Sequence, residues 1–283
     1  MECDEYIPEA YVYLNGHKIR YIEYYDRRKN HYYGSCYRDT LIIIHGLVSS
    51  PDIILSKMIP TLSQYFRVII LDILGFGYSN KTVVCNTTEL FVGYLLAILE
   101  ELHIDRCAVI GHLLGGYLAT EFSIRFNNRV EKLVLAAPAG IMRSPTNTLD
   151  QYIMGALYPA PENILKALRD MVFDPKIVTE NLVNDFVNRM RLPNMKYRFM
   201  SYLLSIRDGR IFRGKISRII SPALIVWGNN DKMIPLRYLH RQYEEIPQRK
   251  LEIINDCGHI PPIEKPVEFN GVILRFLTKT RQN

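Results

Sequence analysis

The 283-residue chain has no C-x-x-C pair. Its five cysteines (Cys3, Cys36, Cys85, Cys107, Cys257) are odd in number and irregularly spaced. That pattern argues against a zinc site, a redox motif or a disulfide framework, and a reduced, cytoplasmic setting is expected. No apolar run approaches the roughly 18 residues of a membrane span. The opening Met1-Glu2-Cys3-Asp4-Glu5 is acidic and lacks the apolar stretch of a secretory signal. Internal repeats and low-complexity tracts are absent. Gly75 and Gly77 form only a G-x-G, without the third glycine of a dinucleotide fingerprint, so no nucleotide is implied.

Charge of one sign is also scarce. Thirty-five Lys and Arg against 29 Asp and Glu give a net charge of +6. The basic residues are scattered, with Arg27-Arg28-Lys29 as the one tight cluster. No stripe of phosphate-reading positions results, and neither a nucleic-acid nor a membrane partner is expected. Hydrophobic residues at 48% and charged residues at 23% are ordinary for a folded chain. A chain this long buries about three quarters of its unfolded surface and needs no staple to fold.

The sequence opens with a hairpin signature: Tyr11–Leu14 and Ile19–Tyr24 flank Asn15-Gly16. Residues 26–39 read as a polar, tyrosine-rich loop. Short, unbroken apolar runs follow: Leu41–Ile44, Val68–Leu71, Ala108–Ile110, Leu133–Leu135, Ala223–Val226 and Leu251–Ile254. Runs without alternation suit strands buried on both faces of a parallel sheet. Helical patterns lie between them, from about Thr87 (with Asn86 as N-cap) to Leu102, from Gly115 to Phe126, and from Val267 to Lys279. The expected fold is α/β, a mostly parallel sheet flanked by helices. Between Gly140 and Lys215 the strand runs stop, and Glu162–Met171, Thr179–Arg191 and Met195–Ile206 read as helices. The core is therefore assigned to residues 1–140 and 215–283, and a helical lid to 141–214.

Chemistry in such sheets gathers beyond the carboxyl ends of the strands. There the sequence places His45-Gly46-Leu47, then Asp72-Ile73-Leu74-Gly75-Phe76-Gly77-Tyr78-Ser79, and Gly111-His112-Leu113-Leu114-Gly115-Gly116. Trp227-Gly228-Asn229-Asn230-Asp231 and Cys257-Gly258-His259 follow. In this order, over about residues 10–280, the motifs resemble the α/β-hydrolase superfamily. The layout is most similar to capped meta-cleavage C–C hydrolases and small esterases.

The resemblance implies a nucleophile on a strand-to-helix turn, followed by an acid and a histidine. It assigns Asp231 as the acid, His259 as the base, and the backbone N–H groups of Leu47 and Leu114 as the oxyanion hole. Gly111, His112, Gly115 and Gly116 complete the elbow, with His112 read as structural. The nucleophile position is Leu113, which has no oxygen to attack with. Cys107 and Ser123 lie roughly 20 Å and 15 Å away along strand and helix. Ser49 and Ser50 are the hydroxyls left for a substitute role. Asp72 reads as a turn former and Cys257 as a small core residue.

The lid residues Tyr152, Met154, Tyr158, Phe186, Met190, Tyr197, Phe199 and Met200 are expected mostly to pack. Arg189, Arg191 and Arg198 are expected at the surface, each with the option of meeting a carboxylate. An apolar lid implies a small apolar molecule in the pocket beneath it. No cofactor or metal is expected. Three functions follow: a hydrolase of the ester or C–C bond type with impaired or altered activity, a general-base enzyme using His259 and Asp231 alone, and a ligand-binding protein without turnover.

Overall fold

The structure is a computed structural model that describes residues 10–14, 16–24, 39–46, 56–77, 79, 88–142, 144–206, 215–241 and 243–279. Leu47, Ser49, Ser50, Asn86 and the loop from 26 to 38 lie outside the described residues. Eight strands form one sheet in the order β1-β2-β4-β3-β5-β6-β7-β8. They are β1 (Ala10–Leu14), β2 (His17–Tyr24), β3 (Thr40–Ile44), β4 (Arg67–Leu71), β5 (Cys107–His112), β6 (Val130–Ala136), β7 (Ala223–Gly228) and β8 (Arg249–Ile254).

The opening hairpin is antiparallel, and Leu14 pairs with His17. Its turn places Gly16 at φ +77°, a conformation that glycine adopts without a Cβ penalty. β2 also runs antiparallel to β4. From β3 to β8 every pairing is parallel. The fully buried faces of β3, β5 and β7 explain their unbroken apolar runs. β8 is the exception, because it is the edge strand. Leu251 is 43% exposed there, so this run is not buried on both faces. Exposed Arg249 and Lys250 decorate that edge, where charge discourages pairing with another chain.

The helices of the sheet layers are α1 (Ile59–Leu62), α2 (Thr88–Glu101), α3 (Leu114–Arg125), α8 (Pro261–Glu264) and α9 (Pro266–Thr278). Lys132 Nζ donates to the carbonyls of Leu277 (2.5 Å) and Lys279 (2.9 Å), placing a cation on the end of α9. No described helix is long and apolar enough to cross a membrane.

Between β6 and β7 the chain forms α4 (Asn147–Leu157), α5 (Pro161–Met171), α6 (Glu180–Met190) and α7 (Met195–Ile206). The pattern read from sequence missed α4. Its buried residues are Thr148, Tyr152, Gly155 and Ala156, with Leu149, Ile153 and Leu157 partly buried against the core. Thr146 caps α4, accepting from the Leu149 N–H at 3.1 Å and donating to the Met233 carbonyl at 2.9 Å.

Most of the lid residues expected to pack do so: Tyr152, Phe186, Met190 and Phe199 are buried and Met200 packs against the core, while Met154, Tyr158 and Tyr197 are half or more exposed. One expectation for this insertion is corrected, that Arg198 lies at the surface. Arg198 is not on the surface but fully buried, with Nη1 donating to the Pro193 carbonyl at 3.2 Å. Burial lowers its pKa. Arg189 pairs with Asp185 at 2.8 Å on α6, and Arg191 donates to the Pro159 carbonyl.

Candidate functional site

The site is assembled at the carboxyl ends of β3, β5, β7 and β8. The chain leaves β5 through Leu113, at φ 51° and ψ −114°, and enters α3 at Leu114. A non-glycine residue at positive φ is strained by about 1–3 kcal/mol and persists where its surroundings enforce it. The enforcing bonds are visible: Leu113 N–H donates to the Ala136 carbonyl at 3.2 Å. Its own carbonyl accepts from Ala139 at 2.9 Å and from Tyr117 at 3.1 Å.

The neighbouring glycines are required by contact. A Cβ on Gly111 would stand 2.3 Å from the Gly115 carbonyl oxygen. One on Gly115 would stand 2.1 Å from the Ile44 oxygen, and one on Gly116 2.6 Å from Pro138 Cβ. β3, β5 and α3 therefore touch backbone to backbone, which holds the turn in place.

Asp231 follows β7 and His259 follows β8. They lie 28 residues apart in sequence, yet His259 Nδ1 is 2.8 Å from Asp231 Oδ2. The other carboxylate oxygen accepts the Ile234 N–H at 2.8 Å, which fixes the acid's orientation. Trp227 Nε1 donates to the Ile234 carbonyl and tightens the same turn. With Nδ1–H directed at the carboxylate, His259 Nε2 carries the lone pair. That nitrogen has no hydrogen-bond partner among the described residues, and His259 is 0% exposed.

His112, the last residue of β5, is tied to the His259 loop. Its Nε2–H donates to the His259 carbonyl at 3.0 Å, and the two rings lie 5.2 Å apart. Burial, and then the neighbouring His259, lowers the pKa of His112 to about 3. It is a neutral donor at neutral pH. No signal in the sequence marks this contact, because the two residues are 147 positions apart.

A cavity of about 420 Å³ opens above the turn. Leu113 is part of its wall, with Ala139, Met142, Ile153, Phe199, Met200, Leu203 and Ile234. Ser144, Asp150 and Tyr152 bring polar atoms to the described lining. His259, Asp231, Arg189, Arg191 and Arg198 are not among the described lining residues. Leu113, 6% exposed, thus presents an isobutyl group to the cavity from the strand-to-helix turn.

The Leu114 N–H is in the first turn of α3, where amide hydrogens lack intrahelical partners and the helix dipole favours negative charge. Leu47, the second proposed donor, lies outside the described residues. Gly46 beside it is described, and a Cβ there would lie 3.5 Å from Leu113 Cβ, so the β3 loop adjoins the turn. His45 orients that loop. It accepts the Ile73 N–H at Nε2 (3.0 Å), and its Nδ1 is 2.6 Å from the Gly46 carbonyl, to which it donates.

Among the described residues the other candidate nucleophiles, Ser123 and Cys107, are buried and hydrogen-bonded; Ser49 and Ser50 lie outside those residues. Ser123 is buried and donates to the Ala119 carbonyl at 2.8 Å. Cys107 is buried, and that burial pushes its thiol up to about 12, so it is not a thiolate. Cys257 is a buried core residue, also raised by burial. Asp72 is a buried turn residue facing Arg20 at 3.4 Å, and Gly77 has no room for a Cβ against its carboxylate. No group of three or more His, Cys, Asp or Glu among the described residues is arranged to hold a metal ion.

A mostly parallel sheet with an acid after one strand, a histidine after the next and a strained strand-to-helix turn defines a protein of the α/β-hydrolase class. The profile of the α/β hydrolase fold matches residues 39–266, and the chain belongs to that family. It is 31% identical over 255 residues to the 2-hydroxy-6-oxononadienedioate/2-hydroxy-6-oxononatrienedioate hydrolase of Klebsiella pneumoniae, covering 86% of this chain and 88% of that protein. The uncharacterized hydrolase YugF of Bacillus subtilis is 25% identical over 251 residues, covering 85% and 90%. Among solved structures, the meta-cleavage product hydrolase CumD of Pseudomonas fluorescens superposes with a TM-score of 0.81 at 24% identity, covering 95% of this chain and 97% of that one. The 2-hydroxy-6-oxo-6-phenylhexa-2,4-dienoate hydrolase BphD of Rhodococcus superposes at 0.83 with 18% identity, covering 97% and 99%.

Proposed function

We propose that this chain holds a small apolar carbonyl compound, of the ester or C–C hydrolase substrate type, beneath a helical lid without serine-type turnover. The observation that carries this reading is Leu113 at the turn and in the cavity wall. A serine-type reaction needs a hydroxyl there, deprotonated by His259 Nε2 as the hydroxyl attacks the carbonyl carbon. Leucine offers neither a proton nor a lone pair. The names of the relatives support the C–C hydrolase part of this substrate type: several name unsaturated oxo-acids, which carry the ketone carbonyl. The largely apolar described lining supports a ligand whose binding comes mostly from buried apolar area.

A second reading is favoured by the 2.8 Å contact between His259 and Asp231. An oriented, unpartnered Nε2 can deprotonate an acidic substrate or a water directly. Its complete burial counts against this in the conformation described, since a general base must reach the proton it removes.

Titration with a neutral apolar fluorophore, N-phenyl-1-naphthylamine, tests the first reading. One saturable site is expected, displaced by short aryl esters that are recovered intact. Met200→Trp, which fills the cavity, should weaken binding at least tenfold. Absence of a saturable site would overturn ligand binding. Turnover by the unaltered chain that His259→Ala abolishes, and that replacing both Ser49 and Ser50 with alanine leaves intact, would establish the general-base reading instead.

A further inference from the structure

The backbone on both sides of His259 is fastened by a side chain that neither the motifs nor the cavity single out. Glu264, at the end of α8, accepts the Gly258 N–H at 2.8 Å through Oε2 and the Ile260 N–H at 2.9 Å through Oε1. The same Oε2 accepts a third N–H, at 2.7 Å, from Phe173. Phe173 is 91 residues away, two positions beyond the end of α5 in the helical insertion. His259 itself donates its backbone N–H to the Met171 carbonyl at 2.8 Å. Gly258 lies so close to this stretch that a Cβ would stand 2.5 Å from Met171 O and 2.8 Å from Val172 Cα.

One carboxylate thus joins three donors from two parts of the chain. We infer that Glu264 is a positioning residue for His259, and that it locks the His259 loop to the exit of α5 so that the two move as one unit. The physical basis is the strength of amide hydrogen bonds to an ionised carboxylate, roughly twice that of neutral ones. With both flanking amides on Glu264, its own N–H on Met171 and its carbonyl on His112, His259 has little backbone freedom. Its ring can then meet Asp231 in one orientation. The inference builds on the proposed site beneath the insertion, but its test uses the free protein and needs no ligand, so it can fail independently of ligand binding.

Glu264→Gln keeps the side-chain shape, removes the charge and replaces one acceptor oxygen with an NH₂ group. Hydrogen exchange should show the Phe173, Gly258 and Ile260 amides opening about tenfold faster, as expected for lost charge-assisted bonds. Amides of β5 and β6 should stay within about twofold, since a local change does not alter global opening. The proton NMR signal of His259 Nδ1–H, identified by its loss in Asp231→Ala, should shift and broaden. That signal reports ring orientation, which a purely stabilising residue would leave unmoved. An unchanged His259 signal, unchanged exchange at Phe173, or equal acceleration of all amides would overturn the inference. Should Glu264→Gln fail to fold, the unaltered protein still decides it. The three amides should then open jointly, with protection within about threefold of one another, and independent opening of Phe173 would refute the coupling.

Discussion

His112 Nε2 lies 3.0 Å from the backbone carbonyl of His259, so the residue before the turn holds the residue after β8 by its main chain. Leu113, between His112 and α3, is therefore part of the same rigid assembly. What stands at position 113 faces the cavity from a frame that does not depend on the side chain's chemistry.

Leu113→Ser should convert this frame into a working hydrolase site. Loss of the nucleophile from a comparable triad costs about 10⁶ in kcat, so a gain of at least about 10³ over the unaltered chain is expected. Initial rates on short p-nitrophenyl esters and on an unsaturated diketone would measure it. No gain on either substrate class would show that more than the hydroxyl is missing.

Asp231→Ala should destabilise the fold. It leaves the Ile234 N–H and the His259 Nδ1–H buried without their acceptor, at a combined cost of about 3 kcal/mol. Urea unfolding would show the loss as a lower midpoint at constant m value.

Gly111→Ala tests the close approach of β5 and α3. The added methyl would meet the Gly115 carbonyl at 2.3 Å, backbone against backbone, with no side chain to move aside. A loss of about 3 kcal/mol or failure to accumulate as folded protein is expected. A variant as stable as the parent would contradict the packing described.

The neutral His112 makes stability depend on acid. Its folded pKa, held near 3 by burial and by His259, lies below its unfolded value of 6.5. In that interval the unfolded chain binds the extra proton, so stability is full above about pH 6.5 and falls as the pH drops toward 3. His112→Gln should show a shallower loss between pH 6.5 and 4.5 in paired denaturant titrations. Equal slopes for the two proteins would remove His112 from the acid response.

The elements most legible in sequence were those whose burial imposes one pattern. Leu41–Ile44 and Ala223–Val226 sit with both faces covered, and only β-branched and aliphatic residues satisfy that environment. Leu251 misled because an edge strand keeps similar residues while one side meets solvent. Helix α4 was less legible because three of its four fully buried positions, Thr148, Gly155 and Ala156, are small or polar. Arg198 was misread because a buried arginine finds its carbonyl partner only after the insertion folds. Of the candidate site, Asp231 and His259 were placed by resemblance and meet in the structure. Glu264 and the carbonyl partner of His112 were not legible, since backbone amides and carbonyls carry no residue identity.

The sequence by itself determined the strand and helix order, the glycines that allow β5 and α3 to touch, and the leucine at the turn. These are local matters: a side chain's volume, its polarity and its hydrogen-bonding groups travel with the residue. The tertiary structure decided the rest. It brought Asp231 within 2.8 Å of His259, set His112 against a carbonyl 147 residues away, and closed Glu264 onto an amide 91 residues away. Such contacts arise from parallel strands delivering their carboxyl ends to one edge of the sheet, a consequence of three-dimensional packing.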